Sequence, residues 1–379
     1  MKEQIRFQSG STVFTLALIL LTMTWASPVF AQDTAIQTDS VTVSAVGDIM
    51  AHETQIAAAF DAKTGRYEFG HVYSYVVDLL SRADITLGNF ETTLPGKSYS
   101  GYPCFGAPDA FARALKDAGF DLLNTSNNHS CDKGKAGFLR TLDVLDTIGL
   151  MHIGTYRSEG EYLKSRVLSV ERNGIRLAFL SYAYGTNGIL VPQGTIVSLI
   201  DRGRMTDELR LAHSQNPDFI IVLMHFGTEY RIEPDTSQIA LVDFLFNEGA
   251  DVVLGGHPHV LERYEMKEVA DRYGEAKKHL VIYSLGNFIS HQAKPLRDGG
   301  IIFDFTLNRT VSESGDTTRS IGNVHYDPVW VFDRYEESTN RFLLIPVEQY
   351  LYNYRPFDLP EASFRQMRFF DEDTRKRLR

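Results

Sequence analysis

Cysteine is nearly absent. Cys104 and Cys131 are the only two in 379 residues, too few for a thiolate-built structural zinc site or a dense disulfide framework. Basic charge is also short, with 38 Lys and Arg against 48 Asp and Glu, so a formal charge of −10 offers nucleic acid no general attractive field. No nucleic-acid partner is expected. The Walker-type Gly-Lys-Ser/Thr loop and the Gly-x-Gly-x-x-Gly fingerprint are missing, which argues against nucleotide-driven synthesis on this chain. The Gly-x-Ser-x-Gly elbow of serine hydrolases is missing too, leaving metal-assisted hydrolysis as the enzymatic route that the remaining residues support.

What is present describes a folded, exported protein. Hydrophobic residues at 43% and charged residues at 23% are ordinary for a globular chain and wrong for a disordered one. Lys2 and Arg6 precede an apolar run from Val13 to about Ala26, followed by Val29, Phe30 and Ala31, the pattern of a secretory signal peptide cut after Ala31. The alternative is an uncleaved N-terminal membrane anchor. Loss of residues 1–31 removes Lys2, Glu3 and Arg6 and makes the charge −11. In an oxidising compartment Cys104 and Cys131 either pair, for roughly 3 kcal/mol by loop-closure entropy, or stay as two separately buried thiols. The chain divides into the signal segment 1–31, a polar tether 32–40, a main domain 41–300 and a C-terminal extension 301–379 packed upon it.

From Val41 onward short apolar runs alternate with helical patterns. Val41–Val46, Ile85–Leu87, Leu122–Asn124, Ile175–Tyr182, Phe219–Met224, Val252–Leu254 and Leu280–Ser284 read as buried strands, and 111–118, 138–148, 206–214 and 238–248 as amphipathic helices. An α/β layered domain follows. Strand after strand ends in a group able to bind a metal: Asp48, Asn89 with Glu91, Asn128 with His129, His225, and His257 with His259. In an open α/β sheet the carboxyl ends of strands border the ligand crevice, so these loops are expected to converge. Carboxylate, amide oxygen and imidazole together suit manganese, zinc or iron.

These motifs resemble a family. Val46-Gly47-Asp48-Ile49-Met50, Gly88-Asn89-Phe90-Glu91-Thr92, Asn127-Asn128-His129, His225-Phe226-Gly227-Thr228-Glu229-Tyr230, Gly256-His257-Pro258-His259-Val260 and Tyr283-Ser284-Leu285-Gly286-Asn287-Phe288 look like the CapA proteins of poly-γ-glutamate capsule synthesis. The resemblance covers roughly residues 41–302. It implies a fold similar to the calcineurin-like metallophosphoesterases, a β-sandwich flanked by helices, with one or two divalent ions at the sheet ends. By motif, Asp48 and His259 would serve a first metal, Glu91 would stand where those enzymes have a bridging aspartate, and Asn128, His225 and His257 would hold a second. His129 would protonate the leaving group, and Asn89, Glu229 and Asn287 would orient ligands. Met50 stands where the pattern has a histidine, which leaves the first site short of a ligand. The implied substrate is an anionic polymer such as poly-γ-glutamate, with membrane-embedded synthase components as partners. Three roles remain open at this level: a metal-dependent hydrolase of the polymer, a non-catalytic polymer-binding component of an export assembly, and a metallophosphatase of unrelated biology.

Overall fold

The computed structural model describes residues 37–274, 276–335 and 341–378. The expected signal segment and the tether up to residue 36 lie outside the described residues. Residues 37–40, expected to continue the tether, instead open a strand, Gln37–Ile49. They are held there by pairing with Asn308 to Val311, and Asp39 accepts an ion pair from Arg309 at 2.9 Å.

That first strand lies in the interior of an eight-stranded sheet. Across it run Phe342–Pro346, Thr317–Asp333, Gly299–Val311, Gln37–Ile49, Ile85–Phe90, Leu122–Asn124 and Met151–Ile153, with Asn287–Ile289 paired to the far end of Gln37–Ile49. The strands from Gln37–Ile49 to Met151–Ile153 are mutually parallel, whereas Gly299–Val311 and its two outer neighbours run antiparallel. The boundary expected at residue 300 therefore falls inside a strand. The segment expected as an extension supplies three strands of the main sheet, and it also contains a short helix, Val347–Tyr352, beyond the four helices expected.

A second sheet has six strands in the order Leu261–Ala270, Ala276–Leu285, Val252–Gly256, Phe219–His225, Ile175–Ala183 and Leu168–Arg172. Alternation along each strand decides what faces what. Val41, Val43 and Ala45 of the first sheet pack with Leu177, Phe179, Ile221 and Leu254 of the second, forming the layer between them. The opposite face of the first sheet, including Val46 and Leu123, is covered by Phe111 and Leu115 of helix Asp109–Asp117 and by Leu145 of helix Gly134–Ile148. Val222 and Val253 on the outer face of the second sheet meet Leu209 of helix Arg202–Ser214 and Leu245 of helix Thr236–Asn247. The result is two sheets face to face with helices outside both.

Local chemistry sets these elements. Asp235 caps helix Thr236–Asn247, accepting from the amides of Ser237 and Gln238 at 2.9 Å while the Gln238 side chain returns to the Asp235 amide. Helix Gly134–Ile148 stops at Gly149, whose φ of 72° suits a residue without a β-carbon. Arg82, just before strand Ile85–Phe90, bridges Asp304 at 2.7 Å and also Asp327, fastening the C-terminal strands to the parallel half of the sheet. Among the described residues no helix is long and apolar enough to cross a membrane.

Candidate metal centre

Gly47 interrupts the ladder between Gln37–Ile49 and Ile85–Phe90 with a register shift between Val46 and Asp48, and the Asp48 amide donates to Gly286 O at 2.9 Å. The shift presents the Asp48 carboxylate to the loop that leaves strand Val252–Gly256. There the His257 amide donates to Asp48 Oδ2 at 3.2 Å and His259 Nδ1 donates to the same oxygen at 2.9 Å. His257 and His259 have φ of 98° and 59°, uncommon for residues with side chains and of the kind that clusters at functional sites. Residues from the two sheets thus meet over Asp48.

Asn89 organises the same floor. Its Nδ2 reaches Asp48 Oδ1 at 2.8 Å, Glu91 Oε2 at 3.2 Å and His225 Nδ1 at 3.1 Å, while its Oδ1 accepts from Asn124 at 3.0 Å and Asn127 at 3.3 Å. His225, ending strand Phe219–His225, donates through Nε2 to Asn128 Oδ1 at 2.8 Å. Asn287 Oδ1 accepts from His259 Nδ1 at 3.1 Å. The expected Glu229 is not among these partners: it is exposed, and both nitrogens of His225 are served by Asn89 and Asn128.

At the centre sits the Glu91 carboxyl, fully buried, with Oε1 lacking any hydrogen-bond partner. It is 3.7 Å from His225 Nε2, 3.9 Å from His259 Nε2 and 4.0 Å from His129 Nε2. His257 Nδ1 is also buried without a partner. Such spacings are too long for hydrogen bonds and near the separation of two ligands sharing one ion through bonds of about 2.1 Å. Two groups have ligating atoms all within 4.8 Å of one another, Glu91 with His257 and His259, and Asp48 with Glu91 and His225. Glu91 belongs to both. The donor set fits divalent cations held around that carboxylate, and Met50, buried two residues after Asp48, offers only a soft thioether in its side chain.

The charges of the site are set by burial and by one another. Burial pushes the Glu91 carboxyl well above its usual range, and the neighbouring Asp48 adds to the rise. Burial opposes ionisation of Asp48 as well, yet the His259 hydrogen bond and charge outweigh it and hold that carboxyl below its usual range. His225 is held well below the usual imidazole value by burial and by His257, and His257 is lowered to about 4 by burial and His259. One neutral carboxyl, one carboxylate and neutral imidazoles are the forms a cation would displace protons from or coordinate directly.

His129 stands beside this floor. Its Nδ1 bonds Asp132 Oδ2 at 2.7 Å, which directs Nε2 towards Glu91 and to within 3.5 Å of Asn187 Nδ2. Asp132 Oδ2 also accepts from the Phe105 amide at 2.6 Å, and the Phe105 ring meets His129 edge-on at 4.7 Å. This is how the two cysteine-bearing loops are joined. Of the two alternatives for Cys104 and Cys131, the structure has the separate thiols: both are free, and Cys131 turns into an apolar cluster with Phe138, Leu142 and Val197. Sequence reasoning overlooked Asp132, although its position three residues after His129 is a usable signal, and Asn187, which accepts from Asn128 at 3.3 Å and from Tyr184 Oη at 3.1 Å. Tyr184 tilts over His257 at 4.4 Å between ring centroids and closes one wall. His52 turns away, accepting from the His291 amide at 3.1 Å.

Three residues beyond His259, Glu262 is buried with Oε2 accepting from Gln238 at 2.8 Å and Oε1 unpartnered. Burial pushes its carboxyl up to about 7, against the pull of the Gln238 hydrogen bond. A raised folded-state value means a contribution that is full below the unfolded value of about 4.3 and is lost as pH rises through 7. Glu262→Gln is therefore expected to gain up to about 3 kcal/mol over the parent at pH 8 and nothing at pH 4 in urea denaturation. An equal effect at both pH values would refute the assignment.

The fold is two face-to-face sheets flanked by helices, with a mixed oxygen and nitrogen centre at the strand ends. Haemophilus influenzae NAD nucleotidase shares the fold with a TM-score of 0.50 at 12% identity, over 89% of this chain and 63% of that one. The family "Bacterial capsule synthesis protein PGA_cap" matches residues 42–292, and the chain belongs to it. The capsule biosynthesis protein CapA of Bacillus anthracis is 28% identical over 294 residues, 73% of this chain and 67% of that protein. The PGA biosynthesis protein CapA of Bacillus subtilis (strain 168) is 27% identical over 259 residues, 67% of this chain and 64% of its own length.

Proposed function

We propose that this protein is an exported, metal-dependent hydrolase acting on a γ-linked glutamate polymer during capsule synthesis. Membership of the capsule synthesis family supports the polymer, and the charged start, apolar run and Ala31 support export. One observation carries the chemistry: the unpartnered, buried Glu91 Oε1 ringed by three imidazole nitrogens at 3.7–4.0 Å. Asn128 Oδ1, His225 Nε2 and His257 Nδ1 would hold one divalent ion, manganese, zinc or iron, and Asp48 with His259 a second, with Glu91 between them. Such ions supply Lewis acidity and a nucleophilic hydroxide at neutral pH.

The chain's own residues do the rest. Asn89 ties Asp48, Glu91 and His225 together through its Nδ2, so the floor is preorganised before substrate arrives. Asp132 bonds His129 Nδ1 and so turns Nε2 to the centre, the nitrogen from which a general acid would deliver its proton. Phe105 packs edge-on against His129, and Tyr184 tilts over His257.

A second reading has the same floor gripping a carboxylate of the polymer without turnover, beside membrane-embedded synthase components. Met50 in place of a ligand favours it. The two are separated by His129→Ala, which is expected to keep the metal content of the parent while hydrolysis falls by about 10²–10⁴-fold. Metal is counted by inductively coupled plasma mass spectrometry, and turnover is read on γ-glutamyl polymer and on phosphoesters side by side. Full activity in the variant would remove the acid role, and a metal-loaded parent inert on both substrates would leave the gripping reading.

A further inference from the structure

Arg263 and Arg341 are committed to acidic partners. Arg263 is divided between Glu233 at 2.9 Å and Glu265 at 2.6 Å, and Arg341 is bound to Asp333. Arg297 differs. Its guanidinium carbon lies 3.2 Å from the centroid of the Tyr230 ring, and among the described residues no carboxylate is within ion-pair distance of it. In a chain of charge −10 a half-buried cation without an acidic partner is unusual.

Both halves of this stacked pair are tied to the loop carrying His257 and His259. The Tyr230 amide donates to Pro258 O at 2.8 Å, and the Tyr230 ring centroid is 6.1 Å from that of His259. Arg297 O accepts at 2.8 Å from Asn287 Nδ2, and the other end of the same amide, Asn287 Oδ1, accepts from His259 at 3.1 Å. The backbone is forced on both sides, with φ of 65° at Tyr230 and 73° at Leu296, side-chain-bearing residues in the left-handed region. Such conformations persist where surrounding contacts over-determine them, as at ligand clamps. Tyr230 is 38% exposed, so the pair stands at the rim of the centre.

We propose that Arg297, laid flat on Tyr230, is the residue that recognises a free carboxylate of the substrate beside the metal centre. Stacking fixes the guanidinium plane and leaves its edge N–H groups free, the fork that matches a carboxylate in two hydrogen bonds. In a γ-linked glutamate chain every repeat carries one free α-carboxylate next to the amide that joins it to its neighbour. With one repeat over Glu91, the α-carboxylate of an adjacent repeat is the group Arg297 takes. The assignment rests on the polymer reading and deepens it, naming what distinguishes this polymer from a neutral amide chain.

The test uses the full metal-loaded chain and two fluorescent γ-linked glutamate octamers, one with free α-carboxylates and one with α-carboxamides, read by anisotropy. The parent is expected to prefer the carboxylate octamer. Arg297→Gln is expected to weaken that octamer by about tenfold or more and leave the carboxamide octamer and the metal content unchanged, with Arg297→Lys recovering only part of the loss. If Arg297→Gln binds the carboxylate octamer as the parent does, or weakens both octamers equally, the Arg297 assignment falls and the polymer reading stands. If the metal-loaded parent binds neither octamer, the polymer reading falls and takes the ligand of Arg297 with it.

Discussion

Glu91→Gln is expected to purify with its metal lost and to ignore added manganese, zinc or iron, while the parent binds them. The amide keeps the shape of the carboxyl but gives up the charge that the imidazoles of His225 and His259 face at 3.7 and 3.9 Å. It also removes a buried acid that burial and Asp48 push well above its usual range. In the parent, Glu91's own contribution to stability is full below the ordinary carboxylate range and is lost as pH rises above it, unless a cation replaces the proton. His257, lowered to about 4, works in the other direction: its contribution is full above 6.5 and is lost as pH falls towards 4. Chelation should thus lower the melting temperature of the parent at pH 7.5 by on the order of 6 °C, the equivalent of ligand at a thousand times its dissociation constant. Glu91→Gln should show no response to the chelator. Metal at parental level in the variant, or an equal chelator effect on both proteins, would contradict the assigned centre.

Gly47→Ala is the second large effect. A β-carbon there would lie 1.9 Å from Gly286 O and 2.9 Å from Gly286 C, both main-chain atoms with no rotamer to escape into. The strand must move, and with it the Asp48 amide that bonds Gly286 at 2.9 Å. Overpacking of this kind costs about 1–3 kcal/mol or more. Because the displaced residue is Asp48 itself, metal affinity should fall together with stability, read by titration and urea denaturation of the same sample. A variant with parental midpoint and affinity would mean that the backbone here yields more easily than its contacts indicate.

The parts legible in the sequence were those written locally. Apolar runs followed at once by Asp48, Glu91, Asn128, His225 and His257 gave both the strands and the residues at their ends, since burial on both faces and a polar loop leave a plain pattern. The boundary at residue 300 failed because the partner of Gln37–Ile49 is Gly299–Val311, and antiparallel pairing across that separation leaves no local trace. Helix Val347–Tyr352 was hidden by aromatic and β-branched residues whose propensity is overruled by packing of Val347 and Tyr350 into the core. Asp132 and Asn187 were missed because each acts through a neighbour, His129 or Asn128, and a supporting side chain has no strand-end signature of its own.

The pairing of Gln37–Ile49 with Gly299–Val311 also bears on how the molecule is made. During translation the strand that carries Asp48 leaves the ribosome early, and its antiparallel neighbour emerges only after most of the chain has followed. Until then one long edge of the strand has no ladder, the state in which a chain recruits the wrong partner. A trimmed gene ending at residue 292, where the family match stops, would leave that edge open permanently. The part of the chain that carries the candidate centre is thus not a separable cassette; strands Gly299–Val311, Thr317–Asp333 and Phe342–Pro346 are the closing seam of the sheet on which Asp48 is mounted.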